Sequence, residues 1–114
     1  MNSDQKTART DAIASLNDEI RRTGNGGRIV VTDGVHNLPS FDARAVINAI
    51  ATYDEFDQDN DFYGERDFGK FQLFGVTLMW KIDYYDLKLE AHSIDPADPR
   101  KTVRILTVLL PSEY

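Results

Sequence analysis

The chain has 114 residues, of which 41% are hydrophobic and 28% charged, and its formal net charge at pH 7 is −6. These values are typical of one folded domain spanning residues 1–114, and they exclude an intrinsically disordered chain, which combines low hydrophobicity with high net charge. Because the chain has no cysteine, disulfides, thiolate nucleophiles and sulfur-bound zinc are excluded as well.

The acidic balance also limits the partners. Binding to a nucleic-acid backbone needs clustered Lys and Arg, so direct nucleic-acid binding is not expected, and a basic protein surface is the favoured partner. No segment approaches about 18 consecutive apolar residues, and no apolar run follows a basic region at the N-terminus. Neither a membrane span nor a signal peptide is therefore predicted, and the expected location is the cytoplasm.

The first predicted element is an amphipathic helix over residues 7–22. Its apolar residues recur at helical spacing, and Thr7 or Thr10 is the predicted N-cap. Gly24 follows the last apolar residue and is the predicted left-handed residue that ends the helix. Residues 1–6 are expected to form a loose N-terminal extension.

A short strand and a second helix come next. The β-branched residues in 28–32 predict the strand. Ser40 is the predicted N-cap of the helix, because apolar residues recur at helical spacing over 41–53. Asp54 and Glu55 then lie at the negative end of the helix dipole, which is unfavourable, and this small cost needs a compensating reason.

The second half of the chain reads as β structure. Residues 70–73 and 76–85 flank a tight turn at Phe74 and Gly75, which is typical of a hairpin. Residues 102–110 are almost continuously apolar and predict a strand in the middle of a sheet. We predict an α+β fold, an antiparallel sheet of about four strands with two helices packed on one face. The exposed edge of such a sheet is compatible with a homodimer.

The acidic segment, residues 54–67, holds seven acids and one base, so its net charge equals that of the whole chain. Its acids are the predicted partner-binding residues: Asp54, Glu55, Asp57, Asp59, Asp61, Glu65 and Asp67. Four aromatic residues in or next to the segment are expected to pack against the sheet and hold it rigid: Phe56, Phe62, Tyr63 and Phe68. The segment is therefore predicted to be a fixed carboxylate-rich surface.

Metal binding by the same acids is the competing hypothesis. Asp57, Asp59 and Asp61 have the spacing that opens an EF-hand calcium loop, but Phe62 and Phe68 occupy the positions of its glycine and bidentate glutamate. We therefore assign no metal ligand and expect no cofactor. A small divalent-metal-dependent enzyme that uses the carboxylates of the acidic segment remains the alternative function.

No nucleophile motif is present, so no catalytic residue is assigned. A carboxylate and a phenol from the run Asp83, Tyr84, Tyr85 and Asp86 would make an acid/base pair if they converged at the end of their strand. The simpler interpretation is that these are ordinary strand residues with an inward aromatic face.

Several motifs together resemble a known family. They are DNDFYGE at 59–65, DFG at 67–69, WKIDYYD at 80–86, DPADP at 95–99 and RILT at 104–107. The chain resembles, over about residues 12 to 114, a family of small bacterial proteins that is one of the numbered domains of unknown function.

The resemblance implies a self-contained bacterial domain of the kind that mobile elements carry, and it supplies no catalytic residues. It also suggests a role against bacterial defence systems. The functional hypothesis is a small non-enzymatic binding protein that presents its rigid carboxylate-rich surface to a basic protein partner. Its most concrete version is a nucleic-acid-mimicking inhibitor of a nucleic-acid-processing effector of bacterial defence, of the anti-CRISPR type.

Overall fold

The computed structural model describes residues 2–114 and confirms the α+β class with a four-stranded sheet. The helices are α1 (Ser3–Thr23), α2 (Asp33–His36) and α3 (Ala43–Thr52), followed at the C-terminus by a 3-10 helix (Pro111–Glu113). The strands are β1 (Gly27–Val31), β2 (Phe68–Leu73), β3 (Val76–Tyr85) and β4 (Val103–Leu109). No helix within residues 2–114 combines the length and the apolar character needed to cross a membrane.

The strand order is β1-β4-β3-β2, and the sheet is mixed rather than antiparallel. Strand β3 runs antiparallel to both β2 and β4, whereas β1 runs parallel to β4 with Ile29 opposite Leu106. The prediction of a purely antiparallel sheet is wrong for β1, because β1 and β2 lie at opposite edges and the chain crosses between them through α2, α3 and the acidic segment. Local hairpin signals carry no information about such a crossover.

Two other sheet predictions are confirmed. Strand β4 lies between β1 and β3, as its continuous apolar character predicts. The β2–β3 hairpin closes through Phe74 and Gly75, whose φ angles of 56° and 75° are both left-handed, as the two-residue turn of a twisted hairpin requires. Gly24 ends α1 with a φ of 78°, and its N–H donates to the Ile20 carbonyl at 2.9 Å.

Both long helices begin at positions other than the predicted ones. Asn2 caps α1 in place of Thr7 or Thr10, so the helix starts four residues before the predicted residue 7. Asp42 caps α3 in place of Ser40. Each observed cap accepts a backbone N–H of the first turn, which is the physical requirement for the position.

One cluster of buried residues forms the core. It joins Ile13 and Ile20 of α1 and Ile50 of α3 to the even-numbered residues of β3, with Trp80 fully buried at its centre. Leu106 and Val108 of β4 also belong to it. That both helices pack on the same face of the sheet stays a prediction. Phe56, in the loop that follows α3, packs against this core.

Candidate functional site

The acidic segment divides into two parts that differ in exposure. Its exposed acids come first and are Asp54, Glu55, Asp57 and Asp59. Its half-buried acids follow and are Asp61, Glu65 and Asp67. The structure therefore presents the first four predicted residues to solvent and turns the last three partly toward the protein.

The exposed part is held by reciprocal hydrogen bonds between Asp57 and Asn60. The Asp57 carboxylate accepts the N–H groups of Asp59 at 2.8 Å and Asn60 at 3.0 Å. The Asn60 side chain accepts the Asp57 N–H at 2.9 Å and donates to the Glu55 carbonyl at 2.6 Å. In this turn, side-chain hydrogen bonds take the place of backbone hydrogen bonds and hold the backbone in one conformation.

Three carboxylates are left free by this arrangement. Glu55 and Asp59 enter the turn only through backbone atoms, and Asp54 takes no part in it. Within residues 2–114, the side chains of these three acids make no ion pair with a cation of the chain. They are consequently available to a partner.

Phe56 attaches the start of the segment to the core. Its ring packs edge-on against Tyr53 and Trp80, at centroid distances of 5.0 and 6.1 Å. The guanidinium of Arg21 lies 5.3 Å from the same ring. For this residue, the predicted anchoring role is confirmed.

Arg21 is also the compensation that the acids at the end of α3 require. Its Nη1 donates to the carbonyls of Ile50 at 3.1 Å and Tyr53 at 2.6 Å, where α3 ends. A buried cation at a helix C-terminus offsets the negative end of the dipole. Asp54 and Glu55 can therefore follow directly.

Phe62 and Tyr63 do not anchor the loop, and the prediction that they do is wrong. Each is 79% exposed, and the two rings pack edge-to-face on one another with centroids 5.1 Å apart. Phe68 is half-buried in β2, where it contacts Tyr114. Two neighbouring exposed aromatic rings thus lie among the acids.

Polar contacts take over the anchoring in the second part of the segment. Arg66 donates through Nε and Nη2 to the Asp18 carboxylate, with the shortest distance at 2.7 Å. The Asp61 carboxylate accepts the Arg66 N–H at 2.9 Å, where the chain is left-handed with a φ of 52°. Burial alone would raise the pKa of Asp18, but hydrogen bonds from Arg66 and Arg21 lower it below the ordinary value.

A buried polar network holds Glu65. Asn17, fully buried on α1, donates to the Glu65 carbonyl at 3.0 Å and to the Tyr84 hydroxyl at 2.8 Å. The Tyr84 hydroxyl donates to the Glu65 carboxylate at 2.8 Å, and Arg104 Nε donates to Oδ1 of the Asn17 side chain at 3.0 Å. Burial is the main cause that raises the pKa of Tyr84. The hydroxyl is therefore protonated and acts as a donor.

The carboxylate that pairs with the phenol of Tyr84 is thus Glu65, and not Asp83 or Asp86, the acids near Tyr84 in the sequence. Asp83 is ion-paired with Lys81, and Asp86 accepts the Glu90 N–H at 3.0 Å in the turn that follows β3. One signal in the sequence points to this network. Asn17 follows Ile13 by four residues and precedes Ile20 by three, so it lies on the apolar face of α1.

Asp67 lies beside a cavity of about 250 Å³. Burial raises its pKa from 3.8 to about 6, and the nearby Glu65 carboxylate adds to the shift. The other residues around the cavity are Ile82, Asp83, Tyr84, Tyr85 and His92.

The metal-dependent alternative requires several acids to converge on one point. Among residues 2–114, no three His, Asp or Glu side chains come together in a group that would hold a metal ion. Asp57 and Asp61 instead organise the backbone of the acidic segment. No specific observation therefore favours the alternative function, a small divalent-metal-dependent enzyme.

Comparison with known proteins identifies a family without an assigned activity. The model of the family described as protein of unknown function (DUF3768) matches residues 31–113. This is more than half of the chain, which therefore belongs to that family. The expected resemblance to a numbered domain of unknown function is confirmed. No curated protein and no solved structure matches the chain.

Proposed function

We propose that this member of the DUF3768 family is a non-enzymatic binding protein that presents its acidic segment to a basic surface of a protein partner. The observation that carries the proposal is the pair Phe62 and Tyr63, each 79% exposed within a run of acids. Large exposed apolar groups rimmed by polar residues mark interaction sites, and aromatic residues are enriched among the side chains that dominate binding energy. The rings would dock while the acids select the partner.

The free carboxylates support a basic partner. Asp54, Glu55 and Asp59 add three negative charges on a backbone that the Asp57–Asn60 turn already fixes. Charge complementarity raises association rates and specificity, and salt screens it. A pre-ordered loop also lowers the entropic cost of binding.

The more specific form of the proposal is nucleic-acid mimicry. Carboxylates on a fixed loop compete with phosphates for the Lys and Arg residues that bind a nucleic-acid backbone. An inhibitor of a nucleic-acid-processing defence effector, of the anti-CRISPR type, has this chemistry. If the protein mimics a nucleic acid, it must compete with double-stranded DNA for the same site on the partner.

Affinity capture from the native host with matched variants tests the proposal. The variant Asp54→Asn, Glu55→Gln, Asp59→Asn removes three charges and breaks no side-chain hydrogen bond within residues 2–114. Its control, Glu19→Gln, Asp33→Asn, Glu90→Gln, removes three exposed charges elsewhere.

We expect the first variant and the double variant Phe62→Ala, Tyr63→Ala to lose a protein that the wild type and the control both capture. We also expect added DNA to release that protein. Equal capture by all four proteins contradicts the binding role. Capture that depends on the acidic segment but is insensitive to DNA contradicts only the mimicry.

A further inference from the structure

A groove runs between the outer edge of β2 and the start of the acidic segment. Strand β2 is the terminal strand of the sheet on this side. Two adjoining cavities of about 500 and 380 Å³ lie along it, and Tyr53, Glu55 and Lys70 border both. The groove is therefore continuous past the middle of the strand.

The backbone of β2 offers hydrogen-bonding groups to this groove. Asp67 is the residue just before β2, and its carbonyl accepts the N–H of Ile82 in β3 at 2.8 Å. Asp67 and Ile82 are therefore a hydrogen-bonded pair of the ladder. Hydrogen-bonded and non-hydrogen-bonded pairs alternate along an antiparallel ladder. The N–H and C=O groups of Phe68, Lys70 and Gln72 consequently point away from β3.

Acids form the facing wall. Asp54 and Glu55 border the larger cavity, and Glu55 and Asp59 border the smaller one. Lys70 is a cation on the opposite side, so the groove keeps an excess of negative charge. Tyr53 borders the groove beside Lys70, and its hydroxyl donates to the Glu55 carbonyl at 3.4 Å. No hydrogen bond from another part of residues 2–114 reaches the outward backbone groups of Phe68 and Gln72, which are therefore open.

We propose that this groove takes an extended basic segment of the partner, which adds to the sheet as a fifth strand along β2. This inference rests on the proposed function, because it specifies the form of the basic partner. Only an extended backbone can pair with the outward groups of an edge strand, and strand addition is an established mode of peptide recognition. Side chains along a strand alternate between the two faces of the sheet, so basic residues at every second position of the added segment would share one face.

The test uses a defined probe, the peptide acetyl-Lys-Val-Lys-Val-Lys-amide, titrated into the full chain and followed by backbone amide NMR. The informative variant is Gln72→Pro, because proline removes the outward N–H and is tolerated on edge strands. Gln72→Ala is its control, since both variants lose the side-chain hydrogen bond from Gln72 to Thr77.

We expect the peptide to bind Q72P roughly tenfold more weakly than Q72A, as the loss of a backbone hydrogen bond predicts. In the wild type, we expect the peptide to slow hydrogen exchange at the amides of Phe68 and Gln72. This second measurement decides the question even if Q72P does not fold.

Equal binding by Q72P and Q72A, with no protection of these amides, overturns strand addition. If the triple variant D54N, E55Q, D59N still loses binding in that case, the acidic surface of the proposed function stands and only the form of the partner is wrong. Binding that this triple variant leaves intact contradicts the role of the acids themselves.

Discussion

The Asp18 carboxylate of α1 accepts hydrogen bonds from both Nε and Nη2 of Arg66, which lies 48 positions later, in the acidic segment. Asp18 also accepts Arg21 Nη2 at 2.9 Å, so one carboxylate joins the loop to the cation that caps α3. The loop is consequently fixed at its second part by α1, and at its first part by the core.

Replacing Arg66 with Ala should loosen the acidic segment. Arg66 is about one-third exposed and Asp18 keeps its bond to Arg21, so we expect a loss of only about 1 kcal/mol in the free energy of unfolding. Amide exchange in residues 61–67 should accelerate more than this global change explains. Arg44→Ala, at an exposed position, is the control, and equal exchange in the two variants would refute the anchoring role.

Tyr84→Phe should destabilise the protein by about 1–2 kcal/mol, because it leaves the Glu65 carboxylate without its donor and removes one acceptor of Asn17. Tyr85→Phe alters a hydroxyl outside this network and should change stability by less than about 0.5 kcal/mol. Urea denaturation of both variants measures the difference. Equal effects would show that the network contributes nothing to stability.

The stability of the protein should fall as the pH rises through about 6, because of Asp67. Its folded-state pKa is raised from 3.8 to about 6, so the folded state binds this proton more tightly than the unfolded state does. The resulting stabilisation is complete below pH 3.8 and is lost as the pH rises through about 6.

Asp67→Asn should therefore stabilise the protein at pH 7–8, by about 1–2 kcal/mol once solvent screening of a partly exposed group is considered. Urea denaturation of the wild type and the variant between pH 4 and 8 measures the difference. A difference that does not vary with pH would show that Asp67 does not titrate in this range.

Alanine substitutions of the aromatic residues in the acidic segment should distinguish the ring that stabilises the fold from the rings that are proposed to bind the partner. Phe56→Ala removes a ring packed on Tyr53 and Trp80 and should cost about 2 kcal/mol. Phe62→Ala and Tyr63→Ala remove exposed rings, so each should change stability by less than about 0.5 kcal/mol. Thermal and urea unfolding compare them, and a large loss at Phe62 would mean that the ring packs against the protein.

Local patterns predicted the parts of the fold that depend on neighbours in sequence. The Phe74–Gly75 turn and the continuous apolar run of β4 both gave the observed structure. The parallel pairing of β1 was not predictable in this way, because it depends on where the chain returns after α2 and α3. Helix caps were misplaced because several residue types that can cap a helix lie near each helix start.

The candidate site was predictable as a concentration of charge but not in its geometry. Phe62 and Tyr63 were expected to be buried, since aromatic residues usually are. Both are exposed instead, and this part of the loop is held by contacts of Arg66 to Asp18 and of Glu65 to Tyr84. Contacts between residues so far apart in the sequence cannot be inferred from spacing alone.

The salt dependence of partner capture by the two charge variants tests the central claim most directly. The host protein captured by the wild type should be released as salt rises, and the control E19Q, D33N, E90Q should behave in the same way. The variant D54N, E55Q, D59N should bind it weakly at every salt concentration. Capture that does not respond to salt, or that is equally reduced in both triple variants, would contradict the claim that the acidic segment binds a basic partner.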